Sequence, residues 1–256
     1  MDRKLLLVAL MLGALVAVVA AGLASAARPL TVCASGCAYT TIPAALAAAS
    51  DGAVIAIGSG SYNGGFTITQ NVTLRGAGAN QTTVSGSMLS GPGGEFAIKV
   101  YPGVVVTISG VTITPDPTNL GGDTTVIKNY GTLTLRDSTV SGGGTVFGGG
   151  IINFSGGTLM LQGSTVAHNF ADVGGGIYNA GTMTMNNSTV TQNSASLEGG
   201  GILNYSVLNV KNSTISDNQS FSESGSTLGG GIVNLGAVTL KNTTITGNTP
   251  SNCVGC

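Results

Sequence analysis

The chain has 256 residues, of which 42 are Gly and none is Trp; 7% are charged, with nine Lys and Arg against ten Asp and Glu. So sparse and balanced a charge excludes the broad basic face that nucleic acid or an anionic membrane surface requires. Without the apolar N-terminal segment, about 230 residues remain, enough for one extended domain.

Asp2, Arg3 and Lys4 open the chain, Leu5 to Gly22 is an almost unbroken apolar run, and Ala24-Ser25-Ala26 follows. This order predicts a signal peptide over 1–26, cut after Ala26 or Ala27. The apolar run is also long enough to stay as a signal anchor. Without Asp2, Arg3 and Lys4, seven basic and nine acidic residues remain, a net charge of −2. The expected product, 27–256, is secreted, extracellular or held at the cell surface, with no membrane span after signal removal.

Cys33 and Cys37 come next, and Cys253 and Cys256 close the chain. An even cysteine count behind a signal peptide reads as disulfides. The two pairs sit at opposite ends of a long repetitive stretch, so local bridges Cys33–Cys37 and Cys253–Cys256 are expected. A four-thiolate metal site would need all four together. A redox pair at the C-terminus would lack its βαβ setting. Over 33–52 the pattern predicts an N-terminal cap. Thr41 is the N-cap, Pro43 lies in the first turn of a helix through Ala49, and Ser50-Asp51-Gly52 ends it. Such a helix covers the open end of a stack.

Strand words lie at Ala53–Ile57, Phe96–Val100 and Val104–Ile113, with projecting loops expected over 114–123 and 220–228. From 126 to 249 one phrase returns four times: Gly148-Gly149-Gly150-Ile151-Ile152-Asn153, Gly174-Gly175-Gly176-Ile177-Tyr178-Asn179, Gly199-Gly200-Gly201-Ile202-Leu203-Asn204 and Gly229-Gly230-Gly231-Ile232-Val233-Asn234. A second phrase starts at Gly131, Gly157, Gly181, Ser206 and Gly236, in steps of 26, 24, 25 and 30 residues. Such a period marks a solenoid. Each repeat holds three short words alternating apolar with polar, joined by Gly, Asn and Ser turns. The expected fold is all-β: a single-stranded, right-handed parallel β-helix of about eight coils, stacked about 4.8 Å apart, with the α-helical cap.

Stacking predicts internal columns Ile151, Ile177, Ile202, Ile232; Leu133, Leu159, Met183, Leu208, Val238; and Val140, Val166, Val190, Ile215, Ile245. It also predicts two structural ladders. One is Asn129, Asn153, Asn179, Asn204 and Asn234; the other is Asn169, Asn193, Asn218 and Asn248, each amide bonding its equivalent one coil on.

The segment Thr41-Ile42-Pro43-Ala44-Ala45-Leu46, Asp51-Gly52-Ala53-Val54-Ile55, Gly60-Ser61-Tyr62 and Val72-Thr73-Leu74-Arg75-Gly76 resembles the N-terminal entry of pectin-lyase-like right-handed parallel β-helix proteins. The Gly-Gly-Gly-Ile words and Val190-Thr191-Gln192-Asn193 with its equivalents are similar to the GGAI and FxxN repeats of chlamydial polymorphic outer-membrane proteins, with Val or Ile standing for Phe. The chain stops at Cys256 without the translocator barrel of those proteins, so outer-membrane anchoring is not carried over. The resemblance implies fold and leaves function open.

Polysaccharide lyases, hydrolases and esterases share such scaffolds. The carboxylates after residue 26 are Asp51, Glu95, Asp116, Asp123, Asp137, Asp172, Glu198, Asp217 and Glu223. None are adjacent, and the Asp-Asp and Gly-His-Gly words of polygalacturonases are absent. Asp172 and Glu198, with Glu223, precede Gly-Gly-Gly in successive repeats, near His168; they are the candidate Ca²⁺ ligands, and no other cofactor is expected. No catalytic residue stands out, and the basic residues are scattered along the sequence. The reading is a monomeric, non-catalytic surface-binding or adhesion protein whose partner is carbohydrate or a surface protein, not nucleic acid. The alternative is a polysaccharide lyase acting on an acidic polysaccharide.

Overall fold

The computed structural model describes residues 28–86, 95–116, 118, 124–221 and 229–256. The expected signal peptide, the candidate ligand Glu223 and most of the two expected loops lie outside the described residues. Among the described residues no helix is long and apolar enough to cross a membrane.

Alternating words turn one face of every strand inward, and the repeat brings equal words into register. Ile151, Ile177, Ile202 and Ile232 pair in sequence across successive strands. Leu133, Leu159, Met183, Leu208 and Val238 form a second column. Val140, Val166, Val190, Ile215 and Ile245 form a third. Most of these side chains are fully buried, each contributing about 1.5–3 kcal/mol by leaving water. The chain winds as a parallel β-solenoid of about eight turns, its walls being sheets of nine, twelve and eight strands. Parallel stacking makes every internal position share its neighbours' core, so no coil needs to bury its own face.

The N-terminal end is closed by the helix Ile42–Ala48. Thr41 is extended, and its Oγ1 accepts a hydrogen bond from Ala44 N at 3.3 Å. Ile42, Ala45 and Leu46 are buried over the end of the core. Thr41→Ala should lower stability by about 1 kcal/mol by orphaning that amide. A lower urea midpoint at unchanged slope would register it. Cys33 is bonded to Cys37 and Cys253 to Cys256, with Cα atoms 5.5 and 6.0 Å apart, one bridge at each end.

The regular coils hold four strands, not the three their sequence suggests. A short extra strand precedes each triple glycine: Gly144–Phe147, Phe170–Val173, Ser194–Glu198 and Gln219–Ser220. These stack in parallel on one another, while the first meets the preceding coil antiparallel, Thr124 opposite Gly144. The chain therefore runs outward and folds back as a flap before rejoining the wall. Gly148, Gly174 and Gly199 make the reversal with φ of +56°, +65° and +67°, a conformation glycine adopts without cost from a Cβ. The flap strands are four of those in the twelve-stranded sheet, and outward residues of its wall strands are buried as well. Ile152 is 7% exposed, and Leu203 and Val233 are fully buried, although all three point away from the main core.

Polar groups buried in the turns are tied into ladders. Asn129 Nδ2 donates to Asn153 Oδ1 at 2.8 Å, and Asn153, Asn179 and Asn204 each donate to the next Asn at 2.6–2.8 Å. Asn169, Asn193, Asn218 and Asn248 form the other ladder, at 2.8–2.9 Å, and Asn248 continues it to Asn252. A serine ladder accompanies them: the backbone amides of Ser138, Ser164 and Ser188 donate to the hydroxyls of Ser164, Ser188 and Ser213. Burial without these bonds would cost each group its full desolvation.

Candidate functional site: an aromatic and lysine flank

The turn after each inner Asn leads from the twelve-stranded sheet to the nine-stranded one. Residues at this turn are outside the core and free of its packing constraint. The backbone amides of Tyr101, Tyr130, Phe154, Ala180, Tyr205 and Leu235 bond in turn to the coil before, so the six form one column. Four of the six are aromatic. Tyr130 and Phe154 stack face to face, with ring centroids 4.0 Å apart and planes 7° from parallel. Tyr205 meets Tyr178 at 5.4 Å, and Tyr178 meets Phe147 of the flap edge-on at 5.7 Å.

Two lysines join this flank. Lys99 and Lys128 pair in register in adjacent strands. Lys99 Nζ lies over the Tyr130 ring at 5.4 Å and Lys128 Nζ over the Phe96 ring at 5.6 Å, within the range of cation–π attraction. Burial, and then the neighbouring Lys99 charge, push the Lys128 ammonium below the usual lysine range. Burial pushes the Tyr130 hydroxyl up; burial, Glu198 and Tyr178 push Tyr205 up. Both phenols stay protonated as hydrogen-bond donors. Lys99, Tyr101, Pro102 and Tyr130 line an open hollow of about 220 Å³. Tyr101 and Tyr205 are about half exposed. Exposed aromatic rings offer apolar faces to the C–H faces of sugar rings, and ammonium groups offer partners to hydroxyls or carboxylates.

Of the carboxylates singled out in the sequence, Glu198 borders this flank, near Tyr205, and Asp172 is engaged separately. Asp172 Oδ1 accepts from Ser196 Oγ at 2.6 Å. An irregularity in strand pairing sets Glu198 opposite Val173, so Asp172 and Glu198 do not share a column. His168 is exposed in a left-handed turn, φ +57°. Asp51 holds Asn71 through its backbone and side-chain amides. Asp116 holds Thr118, whose hydrogen bonds keep its carboxyl below the usual range. Among the described residues no three His, Cys, Asp or Glu side chains converge on a point that could hold a metal ion. The aromatic flank escaped the sequence reading, although Asn129-Tyr130, Asn153-Phe154 and Asn204-Tyr205 repeat an Asn–aromatic step that was legible.

Residues 69–250 match the family model described as right handed beta helix region. No curated protein sequence matches the chain. Among solved structures, a pectin methylesterase mutant in complex with a hexasaccharide superposes with a TM-score of 0.57 at 18% identity, covering 83% of this chain and 77% of the other. The pectin methylesterase of Aspergillus niger gives 0.58 at 17% identity, covering 85% and 76%. That of carrot gives 0.56 at 11% identity, covering 91% and 90%. At these identities the likeness is one of fold.

Proposed function

This chain belongs to the right-handed β-helix family, and on that premise we propose that it is a secreted or cell-surface protein that binds carbohydrate without transforming it. The observation that carries this reading is the flank on which Tyr130 and Phe154 stack beneath Lys99, beside an open hollow. Flat rings held by packing lose little freedom when a sugar settles on them. The coil spacing of about 4.8 Å is of the order of one sugar residue, so a glycan lying along the solenoid axis would meet one turn residue per coil. The pectin methylesterase solved with a hexasaccharide has this fold, which makes a saccharide the first ligand to test. A disulfide at each end fits an oxidising compartment outside the cell.

The experiment is calorimetric titration of the purified protein with neutral and uronic-acid oligosaccharides. Tyr130→Ala should weaken binding about tenfold, equivalent to about 1.4 kcal/mol, with unfolding behaviour close to that of the parent. Equal affinity in the parent, Tyr130→Ala and Tyr205→Ala would sink the proposal. Lyase and esterase assays on the same sample address the catalytic alternative, and turnover there would replace the binding reading. Titration with Ca²⁺ after EDTA treatment addresses an ion at Asp172 and Glu198: a raised melting midpoint that Asp172→Asn abolishes would establish it.

A further inference from the structure

The basic residues are scattered along the sequence but not in space. Register across the nine-stranded sheet sets Arg75 opposite Ser109, Ser109 opposite Arg136, and Arg136 opposite Gln162. The same column continues through Asn186 and Lys211 to Lys241. Four of the seven basic residues that follow residue 26 thus occupy one line at the last position of successive strands. Arg75 and Arg136 are two strands apart, Arg136 and Lys211 three, and Lys211 and Lys241 one. At the ordinary strand spacing the four cations span about 29 Å. All four are exposed, and none forms an ion pair with a described residue.

We propose that this column is a second binding site, distinct from the aromatic flank, and that its ligand is a linear anionic polysaccharide carrying carboxylate or sulfate groups. The shape of the charge selects that class. The column is one residue wide, bordered on the strand side by the uncharged Thr134, Thr184 and Thr239. A membrane surface would require a broad basic face. Single-stranded nucleic acid is held by rings on which bases stack, and the stacked rings of Tyr130 and Phe154 lie along the other flank. A stretched polymer with a charge on each repeat can instead lie along the line and meet successive cations. Thr side chains and the amides of Gln162 and Asn187 are within the same strip to meet its hydroxyls. At Arg136 the strip deepens into an open hollow of about 340 Å³ lined by Arg136, Asp137, Gln162, Gly163 and Asn187. That hollow has room for one sugar unit beside the Arg136 guanidinium, which suits a planar carboxylate or a sulfate. Asp137, the acid at this border, disfavours phosphate clusters of high charge density and leaves one anion per unit as the better match.

The test measures binding of polygalacturonate and heparin fragments to the purified protein across a salt series. The double variant Arg136→Gln/Lys211→Gln keeps long polar side chains at exposed positions, and its unfolding midpoint should match the parent. Its affinity for at least one of the two polymers should fall tenfold or more at low salt. The slope of log affinity against log salt should drop by about two, one for each cation removed. Arg28→Gln, an exposed basic residue outside this column, should leave that slope unchanged. Carboxylate and sulfate are distinguished by which polymer binds. Absence of binding to both polymers, an unchanged slope in the double variant, or equal binding of single-stranded DNA or anionic vesicles would overturn the proposal.

Discussion

Gly175→Ala is expected to prevent the repeat region from folding, or to leave it unable to unfold cooperatively. Gly175 lies where the flap returns to the wall. A Cβ placed there would collide with the backbone oxygens of Ser194 and Gly200 in the next coil. Gly200 O is already held by the amide of Gly176 at 3.0 Å, and Gly175 N donates to Gly199 O at 3.0 Å. Gly200 O cannot withdraw without breaking the ladder that sets the coil spacing. A flexible side chain would yield to an extra methyl; a backbone oxygen in a parallel ladder does not. Overpacking ordinarily costs about 1–3 kcal/mol, and the cost here should exceed it because two coils must part. Gly144→Ala is the control, because a Cβ at Gly144 meets nothing within 4 Å. It should be neutral, or stabilising by about 0.4–1 kcal/mol through the unfolded chain. Urea unfolding followed by circular dichroism compares the three proteins. A parent-like midpoint for Gly175→Ala would disprove the close approach of the coils.

Asn193→Ala is expected to cost roughly 2–6 kcal/mol, about 1–3 kcal/mol from one buried backbone amide left without its partner and about 0.5–1.5 kcal/mol from each of two further hydrogen bonds lost. Asn193 Oδ1 accepts from Asn169 N at 3.0 Å and from Asn169 Nδ2 at 2.9 Å. Its Nδ2 donates to Val166 O at 3.0 Å and to Asn218 Oδ1 at 2.9 Å. Truncation orphans the Asn169 amide and takes one donor from the carbonyl of Val166, which is paired with Val190 inside the stack. Because the ladder runs on to Asn252, the defect sits in the middle of a chain of polarised amides rather than at an end. Asn187→Gly is the contrasting change. Asn187 is an exposed residue in a left-handed turn, φ +49°, where glycine removes a steric cost and little is lost. Equal unfolding midpoints for Asn193→Ala and the parent would show that the ladder carries no stability.

Much of the fold was legible because burial repeats. Ile177, Met183 and Val190 recur about every 25 residues, and only stacked coils bury all their copies together. Thr41, Pro43 and Gly52 marked the cap because N-caps, first turns and helix exits have distinct backbone needs. The extra strand Phe170–Val173 was not legible, because its inward residue is only Ala171 and its partner core lies outside the solenoid. The aromatic flank and the basic column were missed for a related reason. Tyr130, Phe154 and Tyr205 are outward residues, as are Arg75, Arg136, Lys211 and Lys241, and outward positions vary freely from coil to coil.

The sequence by itself therefore determined the coil, its inward columns and its capped end, since a buried position must be filled in every repeat. Only the tertiary structure decided which outward residues became neighbours. Their proximity depends on lateral register and on where the flap folds back. Cations separated by 61, 75 and 30 residues along the chain, from Arg75 through Arg136 and Lys211 to Lys241, become one line only when parallel strands stack at matching positions.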